Sequence, residues 1–226
     1  MSILFVLSSH DALGDTGNKT GTWLEELLVP YYMFAEKGIE TRFATPAGGA
    51  APIDPASVAA LSGQPLLERY EADEVLKAKL ASTEKLADMD AGAFEGVIYP
   101  GGHGPLFDLR YDEASRALIA ATLGQEKPVG VICHAGCVLI DIAGPDGKAL
   151  VEGRTITAFT DAEEEAVNLT DAVPYSVEAE LRALKSNYIL ADLWAANVQV
   201  DGDLITGQNP ASAGPVAAKM LEVLGK

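Results

Sequence analysis

The chain has 226 residues, 48% of them hydrophobic, which is enough to bury one sizeable core, so we expect a single domain over residues 1–226. Thirty-three acidic residues against sixteen basic ones leave a formal charge of −17, which repels phosphate backbones and excludes nucleic acid as an expected partner. No apolar run approaches the roughly 20 residues of a membrane-spanning helix, and the first residues lack the basic stretch of a secretory signal, so we expect a soluble protein without membrane contacts.

Short apolar runs rich in Val and Ile alternate with longer amphipathic stretches, which is typical of strand–helix–strand units. The predicted strands are residues 3–8, 40–45, 96–100, 128–133 and 155–159. The predicted helices are residues 21–37, 66–84, 111–124 and 134–142. Runs such as ILFVL and VGVI are continuously apolar, as in parallel strands covered on both faces. The pattern predicts an α/β fold with a doubly wound, mostly parallel sheet flanked by helices.

Two further segments complete the predicted fold. Residues 45–57 are rich in Gly, Ala and Pro and are predicted to be a loop inside the domain. Near the end of the chain, NVQVDGDLITG predicts a small hairpin that turns at Asp201 and Gly202, and residues 211–226 predict a final helix.

Ligands of open α/β sheets bind beyond the carboxyl ends of the strands, so the segments that follow the strands are the candidates for a functional site. The first helix carries Glu26, one turn before Pro30. If the leucines of this helix pack inward, the Glu26 carboxyl faces the strand ends in a low dielectric, which raises its pKa and lets it act as a proton donor. The alternative is an ordinary solvated helix face.

The strand at 96–100 is followed by Gly101, Gly102 and His103 in the sequence YPGGHG. Glycines let backbone N–H groups approach a ligand closely, so these residues and the His134 amide are candidates for an oxyanion site. A plain turn is the alternative. His103 is a conceivable metal ligand, but the three histidines of the chain show no ligand spacing, and we expect no bound metal.

The strand at 128–133 runs directly into Cys133 and then into the small residues Ala135 and Gly136. This order predicts a nucleophile elbow, in which a sharp turn presents the sulfur and the following helix start favours its thiolate. A small buried hydrophobic residue is the alternative. Cys137 lies four positions further on, where a helix would strain a disulfide with Cys133, so we expect a core residue there. Two cysteines without a disulfide framework are typical of a reducing compartment, and we expect a cytoplasmic location.

The whole pattern resembles the ThiJ/PfpI superfamily, whose fold is that of the class I glutamine amidotransferases. The shared motifs are Glu26 with Pro30, YPGG at 99–102 and Cys133 with His134. The stretches PGGHGPLFDL, TPAGGAAPIDP, AFTDAEEEAVNL and DGDLITGQNPASA are similar to the branch of glutathione-independent glyoxalases III, chaperones and deglycases. The resemblance implies the same fold over nearly the full chain.

The resemblance also implies a Cys-His-acid triad. Its acid lies five residues beyond the phenylalanine of the AFTDAEE-like stretch, which places Glu164 after Phe159, with Glu163 as a rival. Members of the branch usually continue the elbow as Cys-His-Gly, whereas this chain has Ala135 after His134, and the added methyl group puts the pocket shape in question.

By this resemblance, the chain is a cofactor-independent cysteine enzyme that converts small α-oxoaldehydes such as methylglyoxal to lactate, and it forms a homodimer. Cys133 attacks the aldehyde, His134 oriented by Glu164 moves the protons, and protonated Glu26 stabilises the intermediate. Gly101, Gly102 and His103 form the oxyanion and substrate-binding loop, without metal or glutathione. The alternatives are an amidase or isonitrile hydratase, which the same elbow could serve, and a stress protein in which Cys133 is a redox sensor or an apolar patch holds unfolded clients.

Overall fold

The computed structural model describes residues 2–226. The strands are β1 (Ser2–Val6), β2 (Glu40–Thr45), β3 (Glu84–Lys85), β4 (Gly96–Tyr99), β5 (Val129–Ile132), β6 (Thr155–Ile156), β7 (Asn187–Tyr188), β8 (Val198–Asp201) and β9 (Leu204–Gly207). The α-helices are α1 (Leu24–Glu36), α2 (Pro55–Ala60), α3 (Pro65–Ala72), α4 (Glu74–Ala81), α5 (Glu113–Gly124), α6 (Asp161–Ala166), α7 (Val177–Ala183) and α8 (Ala213–Val223).

Seven strands form one sheet in the order β3-β2-β1-β4-β5-β9-β8, and only β8 runs antiparallel to its neighbour. From β1, the chain first moves outward to β2 and β3 and then returns to β4 on the other side of β1. Such a reversal opens a crevice beyond the carboxyl ends of the central strands. The residues after β4 and β5 therefore lie at the position where α/β proteins bind ligands.

Side chains of β1 alternate between two separate apolar clusters, because successive residues of a strand point to opposite faces of the sheet. Ile3 and Phe5 pack with α1 and α8, whereas Leu4 and Val6 pack on the opposite face with residues of α5. Both faces of the central strand are completely buried, which explains its continuous apolar sequence. The predicted doubly wound, mostly parallel α/β fold is confirmed.

Two predicted helices differ from the structure. Residues 66–84 form two helices, α3 and α4, because the side chain of Asp73 accepts a hydrogen bond from the Leu76 N–H and starts a new helix. The segment predicted as a helix at 134–142 is a 3₁₀ helix over Cys133–Leu139 with all seven residues buried. The periodicity located both segments but not these backbone details.

The second half of the chain departs most from the prediction. The strand expected at 155–159 is only β6, and it pairs with β7 in a separate two-stranded sheet. The hairpin of β8 and β9 turns at Gly202 and Asp203, one residue later than predicted, because Asp201 is still paired with Leu204. Helix α2 begins at Pro55 within the predicted loop. Among residues 2–226, none of the helices has both the length and the apolar character that crossing a bilayer requires.

Candidate active site

Cys133 lies at a sharp turn between β5 and the 3₁₀ helix that follows it. Its φ angle is +61°, the left-handed conformation that a residue with a side chain rarely adopts. The Cys133 carbonyl oxygen accepts a hydrogen bond of 3.3 Å from the Phe159 N–H, which ties the turn to the segment after β6. This is the backbone conformation of a nucleophile elbow. The side chain is only 4% exposed.

His134 connects the sulfur to a carboxylate. Its Nδ1 atom lies 3.4 Å from Cys133 Sγ, and its Nε2 atom lies 2.6 Å from Glu164 Oε2. The ring packs against Phe159 with the ring centroids 4.1 Å apart. The predicted Cys-His-acid arrangement is therefore present as geometry, with Glu164 in the position of the acid.

Glu163, the rival for that position, points elsewhere and is completely buried. Its Oε2 atom accepts hydrogen bonds from the N–H and hydroxyl of Thr160, which form a capping box at the start of α6. Its Oε1 atom accepts from Trp194 N–H, Gln208 Nε2 and Asn209 Nδ2. Five donors satisfy this carboxylate, and they fix the helix that carries Glu164.

Glu26 lies on α1 with its side chain completely buried. Its Oε2 atom accepts a hydrogen bond of 2.7 Å from the Gly101 N–H. Burial raises the pKa of Glu26 to about 8, although the Gly101 N–H and the Cys133 thiol act in the opposite direction. The carboxyl group is therefore protonated at neutral pH, in agreement with the sequence prediction.

Gly101, the first glycine after β4, lies directly against Cys133 and the Glu26 carboxyl, whereas Gly102 lies against the backbone of Gly21, Thr22 and Trp23. A Cβ atom on Gly101 would come within 2.8 Å of the Cys133 Cβ and 2.9 Å of Glu26 Oε2, so a side chain does not fit there. Gly102 has a φ of +93°, a conformation that glycine adopts far more readily than a residue with a side chain. Of the three amides predicted to form an oxyanion cradle, that of Gly101 donates to Glu26 Oε2 instead, and the role of the Gly102 and His134 amides stays a prediction.

The resting state of the sulfur differs from the prediction. Burial raises the pKa of the Cys133 thiol well above its usual value, and the Glu26 carboxyl raises it further, whereas the His134 and Gly102 N–H groups lower it. The sequence predicted that the start of the following helix favours a thiolate. The two N–H groups act in that direction, but loss of water around the sulfur outweighs them.

His134 and Glu164 have the protonation states that a base and its partner need. Burial and, to a smaller extent, the neighbouring His103 lower the pKa of His134 to about 4. Burial opposes ionisation of Glu164, but hydrogen bonds with His103 and His134 lower its pKa to about 2. At neutral pH, the neutral ring therefore donates Nε2–H to a carboxylate and leaves the Nδ1 lone pair toward Cys133.

His103 makes a contact that sequence reasoning missed. Its Nε2 atom lies 3.0 Å from Glu164 Oε1, and its ring centroid lies 4.1 Å from that of His134. Both oxygens of Glu164 are thus held by a histidine. His103 and Trp23 also line a cavity of about 340 Å³. The cavity is compatible with the predicted substrate-binding role of His103, which stays a prediction.

Ala135 stands where members of the branch usually have a glycine, and its methyl group does not enter the space around the sulfur. Ala135 is completely buried in the apolar cluster on the opposite face of the sheet from that of Cys133. The next residue, Gly136, has no room for a side chain, because an added Cβ would lie 2.5 Å from the Ala158 Cβ. Cys137 is a buried core residue whose thiol donates to the Pro105 carbonyl oxygen at 3.4 Å.

A sequence profile of the DJ-1/PfpI family matches residues 19–223. The chain belongs to the DJ-1/PfpI family. Its DJ-1/PfpI relatives include the glutathione-independent glyoxalase HSP31 of Saccharomyces cerevisiae, which is 26% identical over 98% of this chain and 97% of that protein. Glyoxalase 3 of Candida albicans is 27% identical over 94% of each chain.

Solved structures of the DJ-1/PfpI fold superimpose closely on the chain. Rapid Encystment Protein 24 kDa of Francisella tularensis is 33% identical, covers 99% of both chains and gives a TM-score of 0.94. Glyoxalase III of Candida albicans is 24% identical over 99% of this chain and 97% of the other, with a TM-score of 0.91. The resemblance stated from the motifs is confirmed at the level of family and fold.

Proposed function

We propose that the chain is a glutathione-independent glyoxalase that converts small α-oxoaldehydes such as methylglyoxal to lactate with Cys133 as the nucleophile and without a cofactor. One observation carries the proposal: Cys133, His134 and Glu164 form a continuous hydrogen-bonded relay beside the protonated Glu26. Relatives that match nearly the full chain are named glutathione-independent glyoxalases, which supports this substrate class.

The first step is attack on the aldehyde carbon. Because the thiol holds its proton at rest, His134 Nδ1 accepts that proton as the sulfur–carbon bond forms. The Gly102 and His134 amides stabilise the negative charge that develops on the aldehyde oxygen. His134 then returns the proton to this oxygen, which gives a neutral hemithioacetal.

The second step moves a hydrogen between neighbouring carbons. His134 removes the proton from the former aldehyde carbon, and the resulting enediol is stabilised by hydrogen bonding to the protonated Glu26. Return of the proton to the adjacent carbon leaves a lactoyl thioester on Cys133. Water cleaves this thioester to lactate and restores the thiol. The sum is methylglyoxal plus water to lactic acid, so no external oxidant or reductant is consumed.

The start of α1 offers hydrogen-bonding groups for such a substrate. Among residues 2–226, the buried side-chain atoms without a partner are Thr22 Oγ1, Trp23 Nε1 and Glu26 Oε1. Buried polar atoms are normally paired, so three unpaired atoms within five residues indicate a place for a polar ligand. A molecule with two adjacent carbonyl oxygens supplies the acceptors that the Trp23 and Glu26 donors need.

The alternative of a redox sensor is less well supported by the site. Oxidation of a cysteine requires thiolate character and exposure. Cys133 is only 4% exposed, and its burial raises the pKa of the thiol and keeps it protonated. The amidase and isonitrile hydratase alternatives use the same elbow and are distinguished by a substrate panel of oxoaldehydes, amides and isonitriles. The homodimer and the cytoplasmic location stay predictions.

The decisive experiment is lactate formation from methylglyoxal in the absence of glutathione. Wild type should be active, and Cys133→Ala should lose activity by at least about a thousandfold, because the bond-forming atom is gone. Cys137→Ala is the matched control, since it removes the other buried thiol and should keep wild-type activity. Activity that persists in Cys133→Ala would overturn the proposal.

A further inference from the structure

Three side chains that can each ligate a metal meet beside the elbow. Ligand atoms of His103, His134 and Glu164 all lie within 4.8 Å of one another, and all three residues are buried. The Nε2 atoms of both histidines face the same carboxylate, at 3.0 Å from Oε1 and 2.6 Å from Oε2. In the proposed reaction His134 and Glu164 act only as a proton relay, which does not require the second histidine beside the same carboxylate.

We propose that His103, His134 and Glu164 form an inhibitory site for one divalent first-row transition ion, with Zn²⁺ as the best match. Two imidazole nitrogens and one carboxylate oxygen are the ligand types that Zn²⁺ and Co²⁺ bind, and three protein ligands leave a position for water. The hard cations Mg²⁺ and Ca²⁺ prefer oxygen ligands only, so this ligand set discriminates against them.

The distances fit such an ion after small side-chain movements. Zn²⁺ lies about 2.0–2.2 Å from nitrogen and oxygen ligands, so neighbouring ligands of a tetrahedral site are roughly 3.4 Å apart. The two nitrogen–oxygen separations, 3.0 Å to Oε1 and 2.6 Å to Oε2, are shorter than this value and involve different oxygens of Glu164, so the side chains must move apart and the carboxylate must turn to place one oxygen beside both nitrogens. One ligand atom from each of the three residues already lies within 4.8 Å of the other two. Two cavities adjoin the cluster, one lined by His103 and one lined by His134 and Glu164.

The site excludes the nucleophile as a ligand. Cys133 Sγ contacts Nδ1 of His134, on the opposite side of the ring from the Nε2 atom that faces Glu164. A metal held on Nε2 therefore leaves the sulfur outside its coordination sphere. This separates the proposed site from adventitious binding to a free thiol, which uses the sulfur itself.

Inhibition follows from the position of one proton and rests on the proposed function. In the metal-free protein, Nε2 carries the proton of the neutral His134 ring, and Nδ1 has the lone pair that accepts the Cys133 proton. When a metal occupies Nε2, the ring proton is on Nδ1 and points to the sulfur. His134 Nδ1 then donates a hydrogen bond to the sulfur and cannot accept the Cys133 proton, so the attack step has no base.

The binding test uses Co²⁺ as a spectroscopic probe on the full chain with its thiols reduced. Wild type and Cys133→Ser should bind one Co²⁺ per chain with equal affinity and without a thiolate-to-cobalt charge-transfer band. His103→Asn and Glu164→Gln should each bind more weakly than wild type by over about tenfold, since loss of even an outer partner of a metal ligand costs that much. Circular dichroism confirms that each variant is folded.

Loss of binding in Cys133→Ser, or a charge-transfer band in wild type, would overturn the site and assign the metal to the thiol. Unchanged binding in His103→Asn would overturn it as well. In the activity test, saturating Zn²⁺ should abolish lactate formation by wild type, and a chelator should restore it. Activity that persists with bound Zn²⁺ would refute inhibition, whereas a metal-free protein inactive on oxoaldehydes would refute the proposed function and leave the binding result standing.

Discussion

The Glu26 carboxyl has an environment that few glutamates share. It is fully buried, accepts one hydrogen bond from the Gly101 N–H, and has a pKa raised to about 8 by loss of solvent. Below that pH it is neutral and can donate to the sulfur or to the substrate oxygen. Ionisation on the alkaline side removes this donor and adds a negative charge that further disfavours the Cys133 thiolate.

The pH dependence of activity follows from this carboxyl. Wild-type kcat/KM for methylglyoxal should fall above about pH 8, by about tenfold per pH unit, because one ionisation removes the active form. Glu26→Gln keeps an N–H donor that does not ionise, so its lower activity should show no alkaline decline. Glu25→Gln, the neighbour on the same helix, should keep the wild-type profile. An alkaline decline retained in Glu26→Gln would contradict this assignment.

Individual site residues could be predicted from the sequence where the signal is a motif of adjacent residues. Cys133, Glu26 and the two glycines follow from strand ends and local motifs, and the structure brings them together. The contact of His103 with Glu164 joins positions 61 residues apart and has no local signal. The protonated state of the sulfur was also missed, because burial depends on the packing of the whole site rather than on the elbow alone.

Helix α6 positions the acid of the relay although it is only six residues long. A helix this short is not stable by itself, so its orientation depends on contacts outside it. The capping box of Thr160 and Glu163 starts the helix, and the other oxygen of Glu163 binds Trp194, Gln208 and Asn209. Glu163 therefore holds the element that carries Glu164.

Removal of this anchor should affect both stability and activity. Glu163→Ala leaves several buried donors unpaired and should lower the free energy of unfolding by about 3 kcal/mol. It should also reduce kcat more than it raises KM, because Glu164 loses its fixed position under His134. Glu165→Ala, on the exposed side of the same helix, should change stability by less than about 0.5 kcal/mol. Denaturant unfolding and steady-state kinetics measure these effects, and equal behaviour of both variants would refute the anchoring role.

At the level of elements, the buried strands were the easiest to predict. The observed limits of four strands lie within two residues of the predicted ones; these strands are β1, β2, β4 and β5. A short, continuously apolar run bounded by loop residues is typical of a buried parallel strand and of few other structures. Helices α6 and α7 were missed, although the T-x-x-E pattern of Thr160 and Glu163 is a signature of a helix start. The short pairing of β6 with β7 depends on tertiary contacts and has no period to detect.

The whole molecule carries a formal charge of −17, and this excess of negative charge repels itself in the compact state. Thermal stability should therefore increase as sodium chloride rises from about 10 mM to about 150 mM, since the screening length falls over that range. The exposed ion pairs, such as Lys19 with Asp11, oppose this trend only weakly. Equal osmolality of a neutral solute is the control for the melting temperatures. A melting temperature that falls with salt would show that ion pairs dominate instead.

The place of β5 in the sheet has a consequence for synthesis of the protein. The strand that leads into Cys133 is hydrogen-bonded to β4 on one side and to β9 on the other, and β9 comes from residues 204–207. Until those residues leave the ribosome, β5 is an open edge with unpaired backbone groups. Nascent chains therefore expose this edge to chaperones or to aggregation for more than seventy residues of translation, and the thiol gains its final surroundings only after the last parallel strand has docked.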